Sequence, residues 1–246
     1  FDSPMDPTVN LADEPRGGGP AHIADIYMTA VGGINWLANT TRSDLAFTAS
    51  QLSSHVSDPG PAHCKALLRA LIYIRDSAEQ PLTLAPGNQP LDVYVDSSWS
   101  DRFSISGAVF YFCGCPVSWF SRTQHAVSLS SAEAEYYAAM TAARDLLHYR
   151  DLAQDFGYTQ HGASVMHSDS KSDIDMSLDP VAFKKTKHIM RAAHFLRDLV
   201  ARRFVEMRKV PGEDNVADLL TKPVQLPVFR KLSQVLVGSA RCESCE

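Results

Sequence analysis

The chain has 246 residues and a formal net charge of −5, with 45% hydrophobic and 21% charged residues. This composition is ordinary for a globular protein and excludes a generic polyanion binder, so any nucleic-acid surface requires local clustering of basic side chains. No apolar run approaches the roughly 20 residues that cross a bilayer, which predicts a soluble protein without a membrane span.

The five cysteines are scattered and odd in number, which argues against a secreted disulfide framework. Cys242 and Cys245 form a lone C-x-x-C, and without a second ligand pair they do not predict a zinc site. The start at Phe1, rather than at Met, is typical of a fragment or of a processed product.

The first part of the chain predicts a tail followed by helices. Residues 1–20 are rich in Pro, Gly and Asp without periodicity, which is typical of a flexible tail. Apolar residues at helical spacing then predict three helices, over residues 23–38, 45–56 and 61–74. A Pro-punctuated connector, residues 81–90, places a domain boundary near Asn88.

Basic side chains edge the apolar stripe of the third helix, at Lys65, Arg69 and Arg75. Two interpretations are open for this segment. It is either a small helical bundle with solvated basic residues or a helical module that faces nucleic acid.

Beyond the boundary the pattern changes to strands. The β-favouring residues 93–95 end in Asp96, and two further strands are predicted over 105–112 and 117–121, joined by a tight turn. Ser130 and Glu133 then fit a capping box that begins a helix running to about Phe156, with Gly157 as the residue after its C-terminus.

The rest of the chain predicts two strands and two helices. These are a strand over 165–169, a long helix over 181–203, a strand over 204–210 and a short helix over 216–222. The predicted order of this domain is therefore β-β-β-α-β-α-β-α.

Four acids stand at or near the ends of these elements: Asp96, Glu135, Asp169 and Asp218. Each has an ordinary interpretation as a turn former, a solvated helix residue or a partner of a helix dipole. If the first and fourth strands are neighbours, however, their terminal carboxylates meet at one rim and repel each other unless a cation neutralises them. Oxygen-only ligands favour magnesium or manganese over zinc, and two such ions can clamp the oxygens of a phosphodiester.

Short motifs that occur in one order carry a resemblance to a known family. They are Tyr94-Val95-Asp96, Ser106-Gly107, Val117-Ser118-Trp119, Leu129-Ser130-Ser131-Ala132-Glu133-Ala134-Glu135-Tyr136, Ser168-Asp169, Thr186-Lys187-His188-Ile189, Val210-Pro211 and Ala217-Asp218-Leu219-Leu220-Thr221-Lys222-Pro223. Residues from about 91 to 237 thereby resemble the RNase H domain of copia-type LTR retrotransposon polyproteins. Upstream, residues 37–46 resemble the thumb and connection region that closes their reverse transcriptase.

The resemblance implies an α/β fold with an RNase H-like mixed five-stranded sheet and flanking helices, preceded by a small helical segment. The predicted division is a flexible tail, a thumb/connection-like segment, an RNase H-like domain and a C-terminal tail, over residues 1–20, 21–88, 89–238 and 239–246. The implied partners are an RNA–DNA hybrid and the remaining reverse transcriptase domains or a larger assembly. The implied location is the cytoplasm or nucleus, or an organelle if the element is domesticated.

By this resemblance the four acids are catalytic and bind two Mg²⁺ or Mn²⁺ ions. Asp96 would bridge both ions, Glu135 and Asp169 would complete the ion nearer the leaving oxygen, and Asp218 would help to hold the ion that activates water. Glu135 is preferred over Glu133 because the family's acid directly precedes an apolar residue, and because Glu133 is already explained by capping.

The sequence departs from the family at several positions. The family often has an acid at the position of Ser98, and Ser170 and Lys171 follow Asp169 where Asn and Gln are usual. The Tyr-x-Asp-Asp motif of the polymerase does not occur, which excludes DNA synthesis by this segment alone.

Residues 182–210 contain nine basic and two acidic residues, a local charge opposite in sign to that of the whole chain. Such a run is either a solvated face or a surface that contacts phosphates. The candidate nucleic-acid contacts are Arg122, Gln124, Lys171, Lys184, Lys187, His188 and Arg191.

The leading hypothesis is therefore a ribonuclease H, a metal-dependent endonuclease that hydrolyses the RNA strand of RNA–DNA hybrids. The alternative is a retroelement-derived structural or scaffolding subunit without nuclease activity, and a third option is hybrid binding without cleavage. The four acids favour the first, because a scaffold has no use for converging carboxylates.

Overall fold

The computed structural model describes residues 1–85, 87–100, 103–125, 127–171, 174 and 190–237, without the side chains of 190–193. The helices are α1 (Ala21–Thr40), α2 (Ala46–Ser53), α3 (Pro61–Asp76), α4 (Ser131–Asp155), α5 (Met190–Ala201) and α6 (Leu226–Leu236). The strands are β1 (Asp92–Ser98), β2 (Ile105–Phe112), β3 (Cys115–Thr123), β4 (Ser164–Ser168) and β5 (Val205–Lys209). Within these described parts, no helix is both long enough and apolar enough to cross a membrane.

Contacts divide the chain into two units. One consists of Phe1–Thr83 together with the described residues after Thr221, which are 222–237, and the other of Leu84–Thr221. The predicted boundary near Asn88 is close to the first crossing between the units. The part of the predicted long helix at residues 181–189, the tail 239–246 and the pair Cys242 and Cys245 lie outside the described residues.

The second unit is built on a five-stranded mixed sheet in the order β3-β2-β1-β4-β5. The first three strands form an antiparallel meander, and β4 and β5 add to β1 in parallel. This confirms the predicted RNase H-like sheet and the prediction that the first and fourth strands are adjacent. The turn between β2 and β3 has positive φ at both Cys113 (56°) and Gly114 (75°), the geometry of a two-residue hairpin.

One face of the sheet and the helices α4 and α5 share a buried core. Strand residues such as Val93, Phe110 and Met166 contribute to it, together with Leu196 of α5. The side of α4 that meets the sheet is rich in small residues, Ala138, Ala139, Ala142 and Ala143, all of which are fully buried. Small side chains let the helix axis approach the strands closely, so this part of α4 packs tightly against the sheet.

The predicted caps of α4 are observed with one difference. The Ser130 hydroxyl accepts a hydrogen bond from the Glu133 N–H at 3.2 Å, as in a capping box. The Glu133 carboxylate, however, accepts from the N–H of Leu129 at 2.8 Å, one residue before the N-cap. At the other end, Gly157 adopts a φ of +85°, as expected for a residue that ends a helix.

The first unit is helical. α1 buries Tyr27, Val31, Ile34 and Ala38, which recur every three to four residues along one face. α1 contacts both α2 and α3, and α2 contacts α3. The three helices predicted for this segment are therefore present, with α1 extended to Thr40.

The C-terminal helix α6 belongs to this helical unit, which contradicts the predicted RNase H-like domain over 89–238. The Ser43 hydroxyl donates to the Leu236 carbonyl at 3.1 Å, and the rings of Tyr73 and Phe229 meet edge to face at 5.8 Å. The Thr83 N–H also bonds the carbonyl of Val237 at 2.9 Å. Periodicity predicts that such a helix buries one side, but it does not say against which part of the chain.

The prediction of a flexible tail over residues 1–20 is wrong for at least part of that range. Met5 and Leu11 are buried, with exposed fractions of 6% and 1%. His63 accepts the Gly60 N–H at its Nδ1, so its Nε2 carries the proton and donates to the Leu11 carbonyl at 3.1 Å. Apolar anchors as sparse as these are hard to recognise among Pro and Gly.

A buried polar network holds the helical unit around Asp44. The guanidinium of Arg42 donates to both oxygens of Asp44 at 2.9 and 2.8 Å, and the Tyr73 hydroxyl donates to the same carboxylate at 2.6 Å. Arg42 also bonds the carbonyl and the hydroxyl of Ser77. Because the charged groups are both desolvated and bonded, removing one partner leaves the other uncompensated.

We expect Asp44→Ala to lower the free energy of unfolding by about 3–5 kcal/mol, because it leaves the Arg42 guanidinium buried without its carboxylate. The solvent-exposed Asp25 on α1 provides the matched control, and Asp25→Ala should change stability by less than about 0.5 kcal/mol. Urea unfolding followed by circular dichroism measures both. Equal effects of the two substitutions would contradict a structural role for the network.

His55 makes the helical unit sensitive to acid. Burial lowers the pKa of His55 to about 4, and neighbouring His63, on which it stacks at 3.9 Å, adds to the effect. The unfolded state, with a pKa near 6.5, therefore takes up a proton first as the pH falls. The stability that neutral His55 provides is complete above about pH 6.5 and is lost progressively down to pH 4.

Between pH 7 and pH 4, His55 should account for a loss of roughly 3 kcal/mol in unfolding free energy. His55→Phe keeps a ring on His63 and should flatten the pH profile by that amount, as measured by urea unfolding at each pH. His22→Phe, a substitution of an exposed histidine on α1, should leave the profile unchanged. A wild-type slope in His55→Phe would exclude His55 as the source.

Candidate metal centre

β1 carries the buried carboxylate of Asp96, whose exposed fraction is 2%. Asp96 pairs with Gly107 on β2, while β4 runs parallel to β1 on its other side. Parallel strands end at the same edge of a sheet. Asp169, which directly follows β4, therefore stands at the edge where Asp96 lies.

Asp218 is positioned by a short 3₁₀ helix, Val216–Leu220. Asn215 begins this helix, and its fully buried side chain accepts a hydrogen bond from the Ala217 N–H at 3.3 Å. The same side chain donates to the Val95 carbonyl of β1 at 3.0 Å. The start of the 3₁₀ helix is thus bonded to the residue that precedes Asp96.

The end of the 3₁₀ helix is fastened to the same strand. The hydroxyl of Thr221 donates a hydrogen bond to Oδ2 of Asp96. The close approach requires a glycine on β2, because a Cβ at Gly107 would lie 2.7 Å from both Leu220 Cβ and Thr221 Cγ2. A side chain at residue 107 would therefore push the 3₁₀ helix away from the sheet.

Asp96, Asp169 and Asp218 converge as a result. One carboxylate oxygen of each lies within 4.8 Å of those of the other two, although the three residues are far apart in sequence. Asp96 is buried, and Asp169 and Asp218 are half-buried. Like charges at this separation repel each other strongly in a partly desolvated site.

This donor set fits a hard divalent cation. It consists of carboxylate oxygens alone, which suits Mg²⁺ or Mn²⁺ better than zinc. The backbone also leaves little room for side chains beside it, since a Cβ at Gly212 would lie 3.2 Å from Oδ2 of Asp169.

Glu135, the fourth predicted acid, is not part of this group. It lies half-buried in the second turn of α4, directly after Ala134. Gln124 holds that turn in place, because its amide donates to the Ala134 carbonyl at 2.8 Å and to the Ser106 hydroxyl of β2 at 2.9 Å. Three of the four predicted acids therefore converge, and a role for Glu135 stays a prediction.

Sequence comparison places the chain in a family. It is 32% identical over 216 residues to the retrovirus-related Pol polyprotein from transposon TNT 1-94 of Nicotiana tabacum, covering 86% of this chain and 16% of the relative. It is 30% identical over 213 residues to that from transposon RE2 of Arabidopsis thaliana, covering 85% and 15%. The chain belongs to the Pol polyproteins of copia-type retrotransposons.

This copia-type Pol segment spans about one sixth of the length of those relatives. No family model matches it. Among solved structures, it is similar to LC11-RNase H1 in complex with an RNA/DNA hybrid, at 18% identity and a TM-score of 0.43, over 53% of this chain and 93% of that one.

The burial and the hydrogen bonds of Gln124 contradict the prediction that this residue contacts nucleic acid. Gln124 is buried, with an exposed fraction of 8%, and its amide nitrogen donates inside the protein. Its amide oxygen accepts from the Ser128 hydroxyl at 2.8 Å. The side chain is therefore occupied in joining β2, the loop before α4 and α4 itself. A lone Gln in sequence gives no sign of burial, since the residue type is usually exposed.

Arg122 is exposed and stays a candidate. Its guanidinium lies 4.3 Å from the ring of Phe120 and bonds Asp145 at 3.1 Å. An ion pair this exposed contributes little to stability, so a phosphate can compete for it. Lys171, two residues after Asp169, is also exposed.

Lys184, Lys187 and His188 lie outside the described residues, and for Arg191 only the backbone, within α5, is described.

Sequence analysis missed Asn215, Thr221 and Gly107 as residues that build the centre. Asn215 stands directly before a short apolar run, which is a recognisable helix-start pattern. Gly107 and Thr221 belong to motifs that carry the family resemblance, but periodicity gives no sign that they meet across the sheet edge.

We expect Gly107→Ala to displace the 3₁₀ helix, to destabilise the protein by about 1–3 kcal/mol and to weaken Mn²⁺ binding. Gly162 in the same unit is the matched control, because a Cβ there would meet no atom within 4 Å. Thermal unfolding with and without Mn²⁺ measures both effects. Retention of the wild-type Mn²⁺ stabilisation in Gly107→Ala would show that the close packing is unnecessary for the centre.

Proposed function

We propose that the second unit is a ribonuclease H, a metal-dependent endonuclease that hydrolyses the RNA strand of RNA–DNA hybrids. The observation that carries this proposal is the convergence of Asp96, Asp169 and Asp218 within 4.8 Å at one edge of the sheet. Membership of the copia-type Pol polyproteins supports it, because these elements copy RNA into DNA and must dispose of the RNA.

Asp96, Asp169 and Asp218, with Glu135, are the residues that would hold two Mg²⁺ or Mn²⁺ ions. When bound, such ions activate water at neutral pH and neutralise charge that develops on the attacking and leaving oxygens. Asp96, the most buried acid of the group, would be the ligand shared by both ions. Glu135 and Asp169 would serve the ion nearer the leaving oxygen, and Asp218 the other.

The chain's own residues would align the substrate. Arg122 and Lys171 are exposed cations on the described surface of this unit, and we assign them to phosphates of the hybrid. Phosphate contacts carry no sequence information, so the hybrid would be recognised by the shape of its backbone and by the 2′-hydroxyls of its RNA strand. Cleavage should therefore depend weakly on sequence and strongly on salt.

The first unit would support hybrid cleavage indirectly, by providing a surface that binds other domains. Its motif at residues 37–46 includes Arg42 and Asp44, whose buried pair is structural, so that motif supports the fold rather than the chemistry. We propose that this unit joins the remaining reverse transcriptase domains of the polyprotein.

Asp96→Asn should reduce cleavage of a fluorescently labelled RNA–DNA hybrid in Mg²⁺ by more than about a hundredfold, because it removes the charge of a central metal ligand. Asp155→Asn, an exposed acid at the end of α4, is the matched control and should cleave at the wild-type rate. Full cleavage by Asp96→Asn would sink the catalytic assignment. Absence of cleavage by the wild type, with hybrid binding or stable complex formation retained, would favour a binding or scaffolding role.

A further inference from the structure

Thr221 makes a contact that the proposed chemistry does not by itself require. The residue is buried, with an exposed fraction of 1%, and its hydroxyl donates to Oδ2 of Asp96. Asp96 is the most buried acid of the converging group. The hydroxyl of a buried residue therefore holds one oxygen of this carboxylate.

The orientation of the Asp96 carboxylate depends on how the 3₁₀ helix is bonded to β1. Asn215 at one end bonds the carbonyl of Val95, and Thr221 at the other end bonds the side chain of Asp96. The two ends of the helix thus hold consecutive residues of one strand. Moving the 3₁₀ helix, and with it the backbone of Asp218, away from β1 would break these two hydrogen bonds.

The two branches of the Thr221 side chain have separable tasks. Its methyl carbon, Cγ2, lies over the space above Gly107, where a Cβ would come within 2.7 Å of it. Its hydroxyl donates to Asp96 and also lies 3.2 Å from the backbone carbonyl of Asp218. The methyl group therefore packs the helix against β2, and the hydroxyl orients a carboxylate.

We propose that Thr221 is a positioning residue for the metal centre, whose hydroxyl orients the Asp96 carboxylate and thereby sets the affinity of the centre for a divalent cation. The inference rests on the proposed function, which supplies the cation. A carboxylate otherwise rotates broadly about its last side-chain bond, and that freedom must be lost when a cation binds. A hydrogen bond that removes it beforehand strengthens binding, and partners of this kind typically change metal affinity by about 10–100-fold.

Two substitutions separate orientation from packing. Thr221→Val keeps the shape of the side chain and removes the hydroxyl, whereas Thr221→Ser keeps the hydroxyl and removes the methyl group. Binding of Mn²⁺ to the full chain, without nucleic acid, is measured by the electron paramagnetic resonance signal of free Mn²⁺. Thermal unfolding and near-ultraviolet circular dichroism establish that each variant is folded.

We expect Thr221→Val to raise the Kd for Mn²⁺ by about 10–100-fold and Thr221→Ser to stay within about threefold of wild type. Thr221→Ser, with its lost packing, should show the lower melting temperature of the two. Thr48→Val applies the same chemical change to a buried threonine of the helical unit and should leave Mn²⁺ affinity unchanged.

Wild-type affinity in a folded Thr221→Val would overturn the inference while leaving the proposed function intact. If Thr221→Val and Thr221→Ala both fail to fold while Thr221→Ser is native, the hydroxyl serves folding and the positioning role is rejected. If the wild-type chain binds no Mn²⁺, the metal centre of the proposed function fails together with the inference. Hybrid cleavage by the wild type separates failure of the positioning role alone, in which cleavage is retained, from failure of the metal centre, in which it is absent.

Discussion

Mutual repulsion among three carboxylates is the constraint that organises the second unit. Two unit charges 4.8 Å apart, the largest separation within this group, repel each other by about 3 kcal/mol at an effective dielectric constant of about 20, and by less where water screens them. Parallel pairing of β1 and β4 brings Asp96 and Asp169 to one edge, and the attached 3₁₀ helix adds Asp218.

Within each unit, buried polar side chains hold the secondary-structure elements in place. In the second unit, Gln124 joins β2 to the first turns of α4. In the first unit, Arg42 and Asp44 join the segment between α1 and α2 to Tyr73 of α3. Fully bonded networks of this kind favour one arrangement of the elements over its alternatives, because every other arrangement leaves polar groups buried without partners.

Much of the second unit was predictable from local pattern. Alternating apolar residues and β-branched residues predicted the strands. Asp96 and Asp169 could be predicted as site residues because each stands at the end of a strand, and the ends of parallel neighbours meet at one edge of the sheet. The fate of Gln124 was not predictable, since its burial depends on three segments that converge only in the folded protein. The unit to which α6 belongs was missed for the same reason, because amphipathicity identifies a buried face without identifying what covers it.

The return of the chain to the helical unit at Lys222 makes that unit discontinuous in sequence. A ribosome finishes α1, α2 and α3 early, but α6 emerges only after the whole of Leu84–Thr221 has been synthesised. Domains generally fold as units during synthesis, so the helical unit must wait with part of its apolar surface uncovered while the sheet unit forms. Translation speed and chaperone access over this interval therefore bear on the yield of the protein, and a gene cut at the linear boundary would leave the helical unit without its last helix.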